Sequence, residues 1–195
     1  MSALFEPLNL WAETNEATLI QDPEQYAVYS ALLNPQYTSA KLQQFVINSA
    51  TTSRKEQAFI GIRGGLAPSG AKRPETDANT TSDFDSKNDK SYLLERRFDL
   101  KTRYVLVTSD ELHAFFVQDA GGHYDMRSWT RFYKQYPDAL SILALSRVGL
   151  SSGKDQALVY VAIQHDFLGG SGRFFVLSKG DKAWEVQRQV MIWLS

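Results

Sequence analysis

The 195-residue chain contains no cysteine, which removes disulfides, thiolate nucleophiles and cysteine-ligated zinc or iron–sulfur sites while leaving the redox compartment open. Histidine is nearly as scarce. His113, His123 and His165 are the only three, and no two stand at the i, i+3 or i+4 spacing of paired metal ligands on one helix. No apolar run approaches the ~20 residues of a membrane-spanning helix, and MSALFEPLNLWAETNEATL, the first stretch, lacks the basic start and apolar run of a secretion signal. Cytoplasmic placement is therefore the expectation, with export behind a leader absent from this sequence as the alternative. Neither sign of charge is in excess: 21 Lys and Arg stand against 22 Asp and Glu, a formal net charge of -1. No global field draws nucleic acid or an anionic membrane surface to such a chain.

What is present suffices for a core. The residues are 43% hydrophobic, 12% aromatic and 22% charged, which is the balance of one globular domain spanning 1–195. Asp22-Pro23-Glu24-Gln25 opens a helix, with Asp22 as cap, Pro23 at the first position and Gln25 at a capping-box spacing. The helix is predicted to reach about Leu33 and to stop at Asn34-Pro35. Strands follow at 42–48 and 57–63. Residues 64–91 (GGLAPSGAKRPETDANTTSDFDSKNDKS) are poor in large apolar side chains and are read as a flexible insertion. Within it, Asn79-Thr80-Thr81 matches a glycosylation sequon, which has meaning only in a secretory pathway.

Beyond the insertion, SYLLERRF (91–98) reads as a short helix and RYVLVT (103–108) as a strand. Thr108-Ser109-Asp110-Glu111 is a capping box for a helix through Val117. In the helix predicted over 126–136, Trp129, Phe132, Tyr133 and Tyr136 fall at i, i+3, i+4 and i+7. Asp125 is its expected cap. From 142 the period changes to two: 142–150, 156–164, 173–178 and 183–194 read as strands joined by the turn signals Ser152-Gly153-Lys154-Asp155 and Gly180-Asp181. In the last strand Trp184, Val186, Val190 and Ile192 alternate with Glu185, Gln187 and Gln189. The fold class expected is α+β: a C-terminal four-stranded antiparallel meander, with the N-terminal and central amphipathic helices packed on one face.

Few motifs carry chemistry. Gly149, Gly153 and Lys154 fall one residue short of a phosphate-loop spacing, are followed by Asp155, and join two strands instead of opening a helix, so no anion site of that kind is read there. Ser151 and Lys154 match S-x-x-K, but in a turn and not on a helix. Asp83, Asp85, Asn88 and Asp89 offer oxygen ligands for a hard cation. Lys87, Asn88 and Leu94 stand where a calcium loop needs an oxygen ligand, glycine and glutamate. No metal site and no cofactor-binding residue is assigned. HDFLGGSGRFF (165–175) packs its glycines between two apolar runs, and His165 and Asp166 at its start could pair a general base with a backbone oxyanion site. Arg147 lies mid-strand, the position of a solvated arginine or of one holding an anion or carboxylate.

W-x-x-F-Y-x-x-Y-P (129–137), S-R-V-G (146–149), Q-A-L-V-Y-V (156–161), L-G-G-S-G (168–172) and W-E-V…M-I-W-L-S (184–195) resemble a group of uncharacterised bacterial proteins. EQYAVYSALL and DFDSKNDKSYLLERRF extend the resemblance towards the N-terminus. These motifs carry structural residues and imply no transferable activity. Many such proteins look exported, unlike this chain. The layout also resembles cystatin-like and NTF2-like folds, which imply a helix lying in a curved antiparallel sheet and host enzymes and binders alike.

Two functions are weighed. The first is a non-catalytic domain that holds a small molecule or a protein partner, including a second copy of itself, in a concave sheet face. The second is a small NTF2-like lyase, isomerase or hydrolase using His165, Asp166, Arg147 and Tyr160. An enzyme requires at least two of these side chains to converge in a deep pocket.

Overall fold

The computed structural model describes residues 18–37, 42–54, 72–116, 125, 127–166, 169–181 and 183–195. The strand expected at 57–63, the first part of the insertion and His123 lie outside them. The described elements are α+β: helices α1 (Pro23–Gln36), α2 (Ala78–Lys87), α3 (Ser109–Phe115) and α4 (Ser128–Gln135), with seven strands. The strands are β1 (Gln44–Asn48), β2 (Arg103–Val107), β3 (Ala139–Leu145), β4 (Gly149–Leu150), β5 (Gln156–Gln164), β6 (Gly170–Lys179) and β7 (Trp184–Leu194). They form one sheet in the order β2-β1-β3-β5-β6-β7, with β4 beside β5. β1 pairs parallel with both β2 and β3, and the remaining pairs are antiparallel. The sheet is thus mixed, and the C-terminal strands are not a sheet of their own.

Helices pack on both faces of this sheet, not on one as expected. On β5, Ala157, Val159 and Val161 join a core with α1 and with Leu94 and Phe98. Leu158, Tyr160 and Ala162 point the other way, to Phe84 of α2, Leu112 of α3, and Trp129 and Phe132 of α4. The physical reason is in the sequence of β5 itself. LVYVA has no polar residue on either face, the pattern of a strand buried on both sides.

The expected caps hold at α1 and α3, although Gln25 does not complete a capping box and turns its side chain to Arg147 and Val148. Asp22 accepts from the backbone N–H of Glu24 at 3.0 Å, and Thr108 and Glu111 form a reciprocal capping box on α3. α1 nevertheless continues past the predicted stop, with Pro35 inside its last turn. Asn34 fastens that turn from outside, donating to the carbonyl of Asp99 and accepting from the N–H of Lys101, both at 2.9 Å. Asp125 is not the residue that caps α4. Arg127 stands there, and the Asp125 carboxylate instead accepts from the backbone of Arg127 and from the guanidinium of Arg131.

Two segments correct the sequence reading more deeply. Residues 78–87 of the expected flexible insertion form α2, whose Phe84 is fully buried. Its other side chains are fixed by polar contacts: Asp83 accepts from the N–H of Leu150 at 2.7 Å and from Lys87 at 2.6 Å, and Asp85 from Arg73 at 2.5 Å and from Arg54. Such a helix has no apolar stripe to announce it. The helix expected over 91–98 does not form. Leu93 bridges Leu19 and Ala50, and the N–H of Leu94 donates to the carbonyl of Ser49 at 2.8 Å, so pairing with distant backbone overrides local helix preference.

The predicted strand 142–150 is broken between β3 and β4. There the hydroxyl of Ser146 accepts from the N–H of Tyr160 at 2.8 Å, and Arg147 turns its N–H to Asn88. In β7 the two-residue alternation slips. Register shifts against β6 turn Trp184 and Val186 to the α1 side, while Val190 lies across from Phe174 on the other face, which Ile192 also joins.

Asp85 supplies a pH test of α2. Burial alone would raise its carboxyl, but hydrogen bonds from Arg73 and Arg54 outweigh that and hold it below the ordinary range. A depressed carboxylate contributes stability above its unfolded pKa of ~3.9 and loses it as pH falls through the lower folded value. Asp85→Asn is therefore expected to cost about 1 kcal/mol or less at pH 7, the ion pairs being one-third exposed. The difference from wild type should begin to narrow in urea titrations below about pH 4 and close only once the pH is under the lower folded value, where the wild-type carboxyl is neutral in both states.

Candidate functional site

The four residues named as catalytic candidates stand apart. His165 and Asp166 follow the end of β5 and are exposed. Their N–H groups donate to the carbonyl of Gly169, at 2.8 and 3.3 Å, closing the connection to β6, and the His165 carbonyl accepts from the Tyr133 hydroxyl at 2.7 Å. A Cβ on Gly169 would lie 2.3 Å from the exposed imidazole, which would have to swing aside. The stretch thus lies between two strands that pair antiparallel, Gln164 opposite Gly170. Tyr160 is sealed in the core, accepting from the Trp193 indole N–H at 2.7 Å. Burial pushes its hydroxyl up to about 12, against the lowering effect of that hydrogen bond.

Arg147 sits at the break between β3 and β4, level with Val159 and Tyr160 on β5. That is five to six residues short of His165, or roughly 15–20 Å at ~3.4 Å per residue.

A different place gathers open polar groups. At the end of the sheet where the β4–β5 turn projects, two neighbouring clefts of about 470 and 250 Å³ share Asn79, Ser151 and Ser152. The larger also takes in Asp77, Asp155 and Lys179, and the smaller Asp22, Lys87 and Lys154. Three elements build this end. Asp22 and Asp77 are the caps of α1 and α2, so the first turns of both helices abut the cleft walls. The turn between them is held by Ser151, whose hydroxyl contacts the Asp155 carboxylate at 2.5 Å and accepts from the N–H groups of Asp155 and Gln156 at 3.1 Å. Its hydrogen bond to Ser151 holds the exposed Asp155 carboxyl below its usual value. Lys154 adopts a left-handed φ of 53°, so the lysine and not Gly153 carries the unusual conformation of the turn.

Rigid neighbours fix these walls. The N–H of Asp77 donates to the side-chain carbonyl of Gln156 at 2.7 Å, tying the start of α2 to β5. Glu24 accepts from Lys179 at 2.8 Å and from the Trp184 indole at 2.6 Å, tying α1 to the β6–β7 hairpin. Close packing completes the frame: a Cβ on Gly149 would lie 2.4 Å from that of Phe84, so α2 rests directly on β4.

The expected motifs take ordinary places around this end. The Ser151 hydroxyl of the S-x-x-K match is committed to its own turn. Asp83 and Asp85, two residues apart on α2, contact different partners, Lys87 and Leu150 for one and Arg54 and Arg73 for the other. Among the described residues no group of three histidine, aspartate or glutamate side chains is placed to hold a metal ion.

Two residues for which the sequence suggests other roles, Asn88 as a cation ligand and Gln25 in a capping box, organise the ground behind the clefts. Asn88, at the C-cap of α2, is fully buried. Its side chain accepts from the N–H of Arg147 at 2.8 Å and donates to the carbonyls of Phe84 and Arg147 at 2.8 and 3.1 Å. Gln25 is equally buried, its carbonyl accepting from Arg147 Nε at 3.3 Å and Val148 N–H at 3.2 Å. A polar residue at a helix end was the one available sign of Asn88.

Fold and site together define an α+β domain with a polar, open-ended cleft and dispersed ionisable groups. No family model matches the chain, and comparison with curated proteins and with solved structures found no match. No helix among the described residues is long and apolar enough to cross a membrane.

Proposed function

We propose that this protein is a non-catalytic binding domain whose ligand, a small polar molecule, sits in the paired clefts around Asn79, Ser151 and Ser152. The observation that carries the reading is that the two clefts share Asn79, Ser151 and Ser152 where α1, α2 and the β4–β5 turn meet. At about 470 Å³ the larger alone falls within the ~300–1,000 Å³ typical of small-molecule sites. Both faces of β5 are buried under helices, so the clefts open at the end of the sheet and not on a concave face over β5. The lining is hydroxyl, amide, carboxylate and ammonium, which suits a ligand recognised through hydrogen bonds. An enzyme built on His165, Asp166, Arg147 and Tyr160 would need these groups to meet, and they are distributed between a hairpin tip, a sheet break and the core interior.

The test is a titration of the protein with a panel of amino acids, monosaccharides and nucleotides, followed by amide chemical shifts. At least one compound is expected to shift the signals of Asn79 and residues 151–155 in a saturable manner. Shifts clustered at His165 and Asp166, or none across the panel, would overturn the reading.

A further inference from the structure

Arg147 is held in the manner of a recognition group and not as one half of an ion pair. Its Nε donates to the buried Gln25 carbonyl. Its guanidinium carbon lies 4.2 Å from the centroid of the Tyr92 ring. The peptide on both sides is clamped by the Asn88 side chain. Among the described residues, its terminal nitrogens have no hydrogen-bond acceptor and no carboxylate lies within ion-pair distance.

The orientation follows from these contacts. With Nε occupied and one face stacked, the edge that remains is the fork of two terminal nitrogens, the edge that pairs bidentately with carboxylate and phosphate groups. A second cation neighbours the same ring, Lys90 Nζ lying 5.2 Å from the Tyr92 centroid. Gln25 is maintained at a cost: its amide is fully buried and, among the described residues, Nε2 has no partner, while Oε1 serves Arg147 and Val148. A fold that needed only the positive charge would have no use for this positioning.

We propose that Arg147, stacked on Tyr92 and accompanied by Lys90, is a docking site for an oxyanion, the carboxylate or phosphate group of a ligand. This site is separate from the clefts and stands whether or not they bind a ligand. Its chemistry is reversible ion pairing, with no bond made or broken.

The test is a titration with sodium phosphate and, separately, sodium acetate at low ionic strength, with sodium chloride at equal sodium concentration as the control. The Arg147 Nε–H and Lys90 amide signals report it. Both should move saturably with one or both oxyanions and stay unmoved by chloride, and the anion that saturates at the lower concentration identifies the source as phosphate or carboxylate. Arg147→Lys keeps the charge and loses the fork, so binding should weaken about tenfold, while Lys90→Gln should weaken it about two- to threefold. An amide spectrum of each variant confirms that it is folded. Absence of saturable shifts, equal shifts with chloride, or undiminished binding by folded Arg147→Lys would overturn the assignment.

Discussion

Phe84→Ala is expected to destabilise the protein by about 3–5 kcal/mol, the range for removing a fully buried phenyl ring. The ring lies in the core below the sheet, 5.7 Å from the Phe174 centroid, with the Arg73 guanidinium carbon 5.5 Å from its own. It is also the one large apolar anchor of α2, so the loss cannot be shared with neighbours on the same helix. For a chain of this size the melting temperature should fall by roughly 6–20 °C. A fall of only a degree or two in calorimetry would mean that residues 78–87 behave as a detached insertion after all. Gly149→Ala attacks the same contact from the strand side, so the two substitutions should not be additive.

Asn88→Ala is expected to cost about 2–4 kcal/mol, by leaving the N–H of Arg147 and the carbonyls it served without their partners. The effect should extend beyond stability. Arg147 loses the clamp on its peptide, so amide exchange should accelerate at residues 146–148 and at the C-terminal turn of α2 more than elsewhere. Denaturant titration with hydrogen exchange separates the two effects. Uniform acceleration across the sheet would show that Asn88 contributes to global stability and does not hold this junction.

The contrast between legible and illegible parts follows from the range of the interactions involved. α1, α3 and α4 begin where capping groups or an aromatic stripe predict, because those signals act within four residues. Phe132 and Trp129 are buried as their helical spacing requires. α2 escaped because its stability comes from one phenyl ring and from carboxylates whose partners, Leu150, Arg54 and Arg73, are remote in sequence or separated by a turn. Residues 91–98 have helical composition but satisfy their backbone against Thr18 and Ser49. β7 shows the strand version of the same limit: Gly172/Arg173 and Val176/Leu177 mark shifts in its pairing with β6, and no count along β7 alone can show them.

The candidate site was less legible than the fold for the same reason. His165, Asp166, Arg147 and Tyr160 were singled out as chemically capable residues, but reactivity depends on convergence, which spacing along different strands does not encode. The clefts bring together residues near 22, 77–79 and 151–155, whose cap, sequon and S-x-x-K matches each point to something other than a shared cleft. Asp22 and residues 152–155 read as a cap and a turn, whereas Asp77 and Asn79 fall in the stretch read as a flexible insertion. Only the packing of α1 and α2 against the β4–β5 turn makes a common surface of them.

The central claim is that binding takes place at this surface and not at the His165–Asp166 hairpin. Its most direct test is to titrate the compound selected from the panel into wild type, Ser152→Trp and His165→Ala. Ser152 is exposed and lines both clefts, so a tryptophan there obstructs them without entering the core. Ser152→Trp is predicted to weaken binding at least about tenfold, equivalent to about 1.4 kcal/mol, and His165→Ala to leave it unchanged. Retained affinity in Ser152→Trp together with its loss in His165→Ala would contradict the account.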